Sequence, residues 1–429
     1  MGNQQGLSPD GVRVTRGLVL IGVLVAAQTV AAENWPRFRG PGGAGTSAQS
    51  GLPVQWTEDD YAWTTPLPGL GHSSPCVWDT HVFLTSAEEA GRKRLLLDID
   101  TVSGRVRWQR AIDSKTHAKH ALNSYASATP ATDGKRVYVL FASDERLRVL
   151  AYDFDGRRIW ESDLGAFHQR EAQVHGCGTS PIVYQDTVIV ANQQDGPSSI
   201  VALDSATGKP RWKTPRTLRL TAHSTPFVIR DAKRSGDRLF ISNTGDGVAA
   251  LHPGTGAMIS RADLLTSRCV GSPVRVGDFV LATCGGGGRG KFLAAVPIDG
   301  EGDLAKTQLG WTRDRILPYV PTPVTYGKLL FLWGDSGTVA CLQAQTGQDV
   351  WTARVGGNYS GSPICVDGKI YCVAQDGTVA VIAADTTFKV LGKSRLGEGC
   401  HSTPAVSGGR MFIRGFQHLF CLQARTPTE

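Results

Sequence analysis

The chain has 429 residues, 45 Lys+Arg against 38 Asp+Glu, 51 Gly and 41 % hydrophobic residues. That balance excludes a disordered chain, and a net charge of +7 spread without any long basic run excludes a dedicated nucleic-acid face. Nine cysteines, none adjacent and none in a C-x-x-C spacing, leave at least one thiol unpaired within the chain.

The N-terminus reads as a targeting segment. Arg13 and Arg16 precede an apolar run, Gly17–Ala32, that ends in small residues, and Val30-Ala31-Ala32 predicts cleavage before Glu33. The run falls short of the roughly 20 apolar residues that span a bilayer, so a retained anchor is the weaker alternative. No cysteine stands near the cleavage point to carry a lipid. Residues 1–32 are therefore expected to be a signal peptide and the mature chain to be periplasmic or secreted, without a stable membrane span. Cleavage removes two positive charges and one negative, leaving +6.

Residues 33–53 form a leader. Its Asn34–Gly45 stretch, rich in Pro, Gly, Trp and Arg, has no strand pattern. It is expected to lie over the domain, anchored by Trp35 and Phe38. Ala62–Thr65 then reads as an isolated outer strand without partners.

From there the chain repeats one unit. Each copy opens with a hydroxyl residue before proline: Ser74-Pro75, Thr129-Pro130, Ser180-Pro181, Thr225-Pro226, Ser272-Pro273, Thr322-Pro323, Ser362-Pro363 and Thr403-Pro404. Proline is tolerated at the first residue of a strand, where no ladder N–H is lost. The most regular copy, Pro323–Trp351, reads as four antiparallel strands joined by glycine turns. Fourth strands are marked by Gly-x-x-x-Trp, ending at Trp108, Trp160, Trp212 and Trp351; the fourth copy has Ser260 there, and Trp311 is the stand-in in the fifth.

The eighth copy lacks its fourth strand, which Ala62–Thr65 can supply with Trp63 in the repeat position. Closing a ring with strands from both termini removes two open sheet edges. The expected fold is all-β, an eight-bladed β-propeller over 54–425 with a tail at 426–429. A seven-bladed ring with an insertion and a pair of sandwich domains are the alternatives, and even spacing argues against the latter.

The phrase Asp-x-x-x-Gly-x-x-x-Trp, seen as Asp100…Gly104…Trp108 and Asp204…Gly208…Trp212, resembles the tryptophan-docking repeat of the quinoprotein-like propellers. The resemblance runs from Gln55 to about Arg425. The leader Trp35-Pro36-Arg37-Phe38-Arg39-Gly40-Pro41 is similar to that of exported bacterial propellers of this type. The family holds enzymes, the quinone-dependent dehydrogenases, and non-enzymes, among them the assembly factor of the outer-membrane β-barrel machinery. The resemblance therefore implies the fold and the docking roles of Trp63, Trp108, Trp160, Trp212 and Trp351, not an activity.

Two chemical readings can be weighed. Gly285–Lys291, GGGGRGK, matches a phosphate-binding loop, but Phe292 replaces the required Ser/Thr and a strand follows where a helix is needed. It is expected to be a hairpin loop on one face. Pyrroloquinoline quinone with calcium would need an aromatic platform, cations, acidic or amide metal ligands and a carboxylate base, and no such cluster recurs. No cofactor and no metal site are expected, and no nucleophilic triad can be argued.

The segments that lead into the innermost strands converge at one channel mouth. His72, His223 and His401 stand three residues before the opening prolines, Cys177 four before, and His175 and Arg268 just outside. These six are the candidate ligand- or partner-binding residues, with no catalytic residue among them; ring-stabilising packing is the alternative. Two longer loops, Ser114–Tyr125 with His117, Lys119, His120 and Asn123, and Phe167–Cys177 with His168, Arg170, Glu171 and His175, are placed to rim the same mouth. The expected function is a monomeric, exported, non-catalytic scaffold that engages a protein or small ligand in the cell envelope. A quinone-dependent alcohol or sugar dehydrogenase is the alternative.

Overall fold

A computed structural model of the chain describes residues 1–4, 6, 33–143, 146–169, 174–230, 236–424. Most of residues 1–32, expected to be a signal peptide, together with Arg170, Glu171 and the tail, lies outside them. Met1–Ala31 forms a unit by itself, and the rest of the chain forms the other. Among the described residues no helix is long and apolar enough to cross a membrane.

The second unit is an eight-bladed β-propeller of four-stranded antiparallel blades. Blade 6 shows the plan: Val324–Tyr326 innermost, then Leu329–Trp333, Thr338–Gln343 and Asp349–Arg354 outermost. The second strand is buried along its whole length and the third over Val339–Leu342, so both read as apolar runs. Outer strands alternate between half-buried and exposed positions, as edge strands with one solvated face do. In the last blade Tyr61–Pro66 pairs antiparallel with His418–Gln423, which carries its outer position back to the N-terminal side.

One repeat phrase joins blade to blade. Asp204 closes the turn after the third strand of its blade, its Oδ1 accepting the N–H groups of Ala206 and Thr207. Gly208 then sits at φ 72°, in left-handed backbone that glycine adopts without penalty. Trp160 of the preceding blade lies on that glycine; a Cβ there would come within 2.6 Å of the indole. The Trp160 Nε1–H donates to the Ser205 carbonyl at 3.0 Å, and the Ser162 hydroxyl to the Gly208 carbonyl at 2.6 Å. Trp63, Trp108 and Trp212 repeat the arrangement over Gly104, Gly156 and Gly256. Trp311 fills the same place over Gly347, and Trp351 donates to the Asp385 carbonyl.

Joints without tryptophan are made otherwise. Outside Met258–Ala262, where Ser260 stands, Gly302–Asp303 adds a parallel strand and Arg261 pairs with Asp303 at 2.7 Å. The outer strand of blade 7, Val390–Arg395, is covered by Val54–Trp56, with the Trp56 N–H donating to Ser394 Oγ at 2.8 Å.

The opening prolines themselves precede the innermost strands, which begin one residue later at Cys76, Ala131, Ile182, Phe227, Val274, Val324, Ile364 and Ala405. The reason is a hydrogen-bonded ring made by the hydroxyl residues before them. Ser74 N–H donates to Thr129 Oγ1, Thr129 to Ser180, Ser180 to Thr225, and Thr225 to Ser272. Ser272 donates to Thr322, Thr322 to Ser362, Ser362 to Thr403, and Thr403 back to Ser74, all within 2.9–3.2 Å. Eight bonds close a circle through eight blades.

The leader does not lie over the domain; it threads beneath that ring. Trp35, wholly buried, exchanges backbone hydrogen bonds with Val77, and the Pro36 carbonyl accepts Thr132 N–H. Arg37 reaches the Pro226 carbonyl at 2.9 Å. The wholly buried Arg39 guanidinium donates to the carbonyls of Thr322, Pro323 and Pro363 at 3.2, 2.7 and 2.8 Å. Thr46–Ser47 finally pairs in parallel with Cys365–Val366. Burial lowers the Arg39 pKa to about 9, so it remains a cation at neutral pH.

Candidate functional site

The position three before the proline faces the channel in all eight blades: His72, Ser127, Gly178, His223, Val270, Val320, Ser360 and His401 border one cavity. Below them the ring hydroxyls border the same cavity, and Phe38 of the leader stands at its inner end. The cavity measures about 570 Å³.

Five of the six sequence-predicted residues come together here: His72, His175, His223, Arg268 and His401. Cys177 does not. Four before the proline, it points away from the channel into a core with Phe167, Val188 and Val201, and its burial pushes the thiol to about 12. All nine cysteines are buried free thiols, including Cys269 and Cys284.

The imidazoles form two banks. On one wall His72 and His401 meet edge to face at 4.6 Å, both against Phe416. On the other, His120 stacks on His175 at 5.5 Å, and His175 meets His223 at 6.0 Å. The loops expected to rim the mouth do so through His120, Leu122, Asn123 and His175; Gly286–Gly288 of the glycine-rich loop borders it too. Asn123 ties the two loops together, its Nδ2 donating to the carbonyls of His175 and Cys177 at 2.6 and 3.3 Å. Leu122 reaches across, and its carbonyl accepts the Nδ1–H of His401 at 3.2 Å. A carbonyl can only accept, so His401 carries its proton on Nδ1. His117 packs instead on Tyr125 and Phe167, with its carbonyl bound by the Tyr125 hydroxyl.

Burial keeps His72, His175, His223 and His401 neutral. Desolvation first, then neighbouring imidazoles and cations, lowers His72 to about 2, His223 to about 3 and His175 to about 4, and desolvation alone lowers His401. The His223 Nε2 is shielded from solvent and finds no hydrogen-bond partner among the described residues. Arg268, 9 % exposed, is steadied by Thr221, its Nε donating to Oγ1 at 3.3 Å. Two residues that the sequence reading passed over complete the wall. Tyr319 interacts with Arg268, and Asp335 accepts the N–H groups of Tyr319 and Val320 at 2.7 and 3.1 Å. Desolvation raises the Asp335 carboxyl to about 6.

These residues do not fit a tricarboxylate quinone with its divalent cation. Among the described residues that border the cavity, Asp335 is the one carboxylate, and backbone N–H groups already occupy it. Among the described residues no group of three His, Cys, Asp or Glu side chains is placed to hold a metal ion.

Comparison with known proteins agrees with the repeat. The family model described as outer membrane protein assembly factor BamB matches three overlapping stretches, 55–212, 127–332 and 306–390. The BamB protein of Yersinia pestis is 24 % identical over 318 residues, covering 68 % of this chain and 74 % of its own length. The crystal structure of BamB from Moraxella catarrhalis superposes with a TM-score of 0.59 at 14 % identity, covering 84 % of this chain and 99 % of that one. A europium-containing methanol dehydrogenase superposes with a TM-score of 0.65 at 12 % identity over 90 % of each chain. At such identities the structures share the fold, which enzymes and non-enzymes both use. The matched repeats cover well over half of the sequence, and the chain belongs to the BamB family of PQQ-repeat propellers.

Proposed function

We propose that this chain is an exported, non-catalytic scaffold that acts as a monomer and binds a protein partner or small ligand in the cell envelope through one mouth of its channel. The observation that carries this reading is the single-ended channel. Backbone-bonded leader residues fill one end, and side chains of two insertion loops and five blade entries shape the other. A cavity of about 570 Å³ lies within the usual range of ligand sites. Membership in the assembly-factor family supports a protein partner. Export and cleavage after Ala32 belong to the same proposal.

Affinity capture from cell envelopes tests it. The wild-type chain should retain a partner that a His72→Ala/His401→Ala variant of equal melting temperature loses; equal retention by both contradicts a role for the mouth. A dye-linked oxidation assay with pyrroloquinoline quinone and calcium tests the dehydrogenase alternative. Turnover of alcohols or sugars would replace the scaffold reading.

A further inference from the structure

We propose that the channel-mouth pocket binds a neutral saccharide, one face of a sugar ring resting on Phe38 and its hydroxyls paired with the uncharged side chains of the wall. This deepens the reading of the mouth as a binding site and rests on it.

The charged groups that border the cavity are already engaged. Arg268 is held by Thr221 and Tyr319. Asp335 accepts the N–H groups of Tyr319 and Val320. His72, His175, His223 and His401 stay neutral through burial. An ion entering here would shed its hydration without gaining a counter-charge of its own, which is costly. A neutral polar ligand avoids that cost.

What stays open is a mixed set of donors and acceptors. The Leu122 carbonyl takes the Nδ1–H of His401, which leaves His401 Nε2 to accept. The Leu122 N–H donates to His120 Nδ1 at 3.1 Å, which leaves the exposed His120 to donate from Nε2. In blade 7 the Gln375 Nε2–H donates to Ser360 Oγ at 2.8 Å; its Oε1 has no partner among the described residues and is not shielded from solvent. Asn358 and Ser336, on the same side, are exposed and border the cavity. Below them each of the eight ring hydroxyls accepts a backbone N–H, and none donates to a described residue. A hydroxyl both donates and accepts, so the hydroxyls of a sugar match either kind of group.

The inner end supplies the apolar half of the site. A sugar ring carries hydroxyls at its rim and C–H bonds on its faces. Phe38, half-buried at the inner end of the cavity, offers an aromatic surface to such a face. The leader fills that end, so a ligand enters and leaves by the same mouth. The cavity of about 570 Å³ therefore admits a short oligosaccharide end-on, not a chain passing through.

Calorimetric titration of the mature chain with maltotriose, cellotriose and the N-acetylglucosamine trimer, without quinone or calcium, tests the assignment. Citrate and putrescine are the charged controls, and cyclohexanol is the apolar one. At least one saccharide should bind saturably at one site, and no control should. Raising the salt from about 0.05 M to about 0.5 M should leave that affinity within about twofold, because no ion pair forms. Phe38→Ala should weaken binding about tenfold, and Asn358→Ala about threefold. Absence of saturable binding by all three saccharides overturns the proposal. So does a control that binds as tightly as the best saccharide, a tenfold loss of affinity with salt, or affinity unchanged in both variants. Should Phe38→Ala fail to fold, Phe38→Leu, which keeps bulk but removes the ring, is read in its place, and unchanged affinity there and in Asn358→Ala is equally contrary. Envelope capture on the same preparations separates the two readings. If no saccharide binds while capture still depends on the mouth, this assignment falls and the scaffold stands. If a saccharide binds while capture is indifferent to the mouth, the protein-partner reading falls and the pocket stands.

Discussion

The glycine beneath each docking tryptophan is where the repeat is least tolerant. Gly208→Ala meets two penalties at once, left-handed backbone and a Cβ 2.6 Å from Trp160. It should destabilise the fold by about 2 kcal/mol or more in urea denaturation. Trp160→Ala should cost roughly 3–5 kcal/mol, since it removes a nearly buried indole and its bond to Ser205. The histidines at the mouth make a prediction of opposite character. Their folded pKa values lie below the ordinary 6.5, so the unfolded chain binds more protons as pH falls below that value. Stability is therefore complete above about pH 6.5 and is lost progressively on acidification, by up to about 1.4 kcal/mol per pH unit for each group fully engaged. Asp335 acts the other way: its raised pKa adds stability that is lost between about 4 and 6 as pH rises. With several imidazoles against one carboxyl, the melting temperature should fall from pH 7 to pH 4.5. His223→Leu, which cannot take up a proton, should flatten that slope; a slope unchanged in this variant would show that His223 is not held neutral by the fold.

At the scale of elements, the leader and the entry segments carry what is particular to this protein. Arg39 donates to carbonyls of blades 6 and 7, and Arg37 to one at the start of blade 4, so the leader acts as a tie across the ring. Arg39→Met strands those carbonyls in a buried site. It should destabilise the protein by roughly 3 kcal/mol, with faster cleavage within 33–49 by a dilute protease. Unchanged cleavage would mean that the leader holds without its arginine. This plug is not legible in the sequence, because a segment without periodicity shows that it is irregular, not where it goes. The blades are legible because each repeats the same backbone tasks. Asp closes a turn, Gly clears space for the neighbour's indole, and a hydroxyl residue accepts the preceding blade's N–H. The entry segments are half legible. Spacing from the proline puts His72, His223 and His401 on one ring; four before it, Cys177 packs into the core whereas Tyr319 and Tyr359 border the cavity, so the count does not place that position. Tyr319 and Asp335 escape notice because one sits in the entry to blade 6 and the other in a turn that looks like ordinary hairpin chemistry.

Across the whole molecule, eight copies of a structural phrase build a frame that says little about activity, and the departures from it meet in one place. The two long loops, the leader and the non-repeating entry residues all converge on one cavity. The far ends of the innermost strands turn through short, regular hairpins such as Tyr326–Lys328. The measurement that tests a one-mouthed binding propeller most directly is site-specific photocrosslinking in cells. One reactive residue is placed at Leu122 on the rim, 52 % exposed, and another at Tyr326 beside a hairpin turn, 47 % exposed. A discrete partner adduct from Leu122 and none from Tyr326 is the predicted result. Adducts from Tyr326 alone, or equally from both positions, would contradict it.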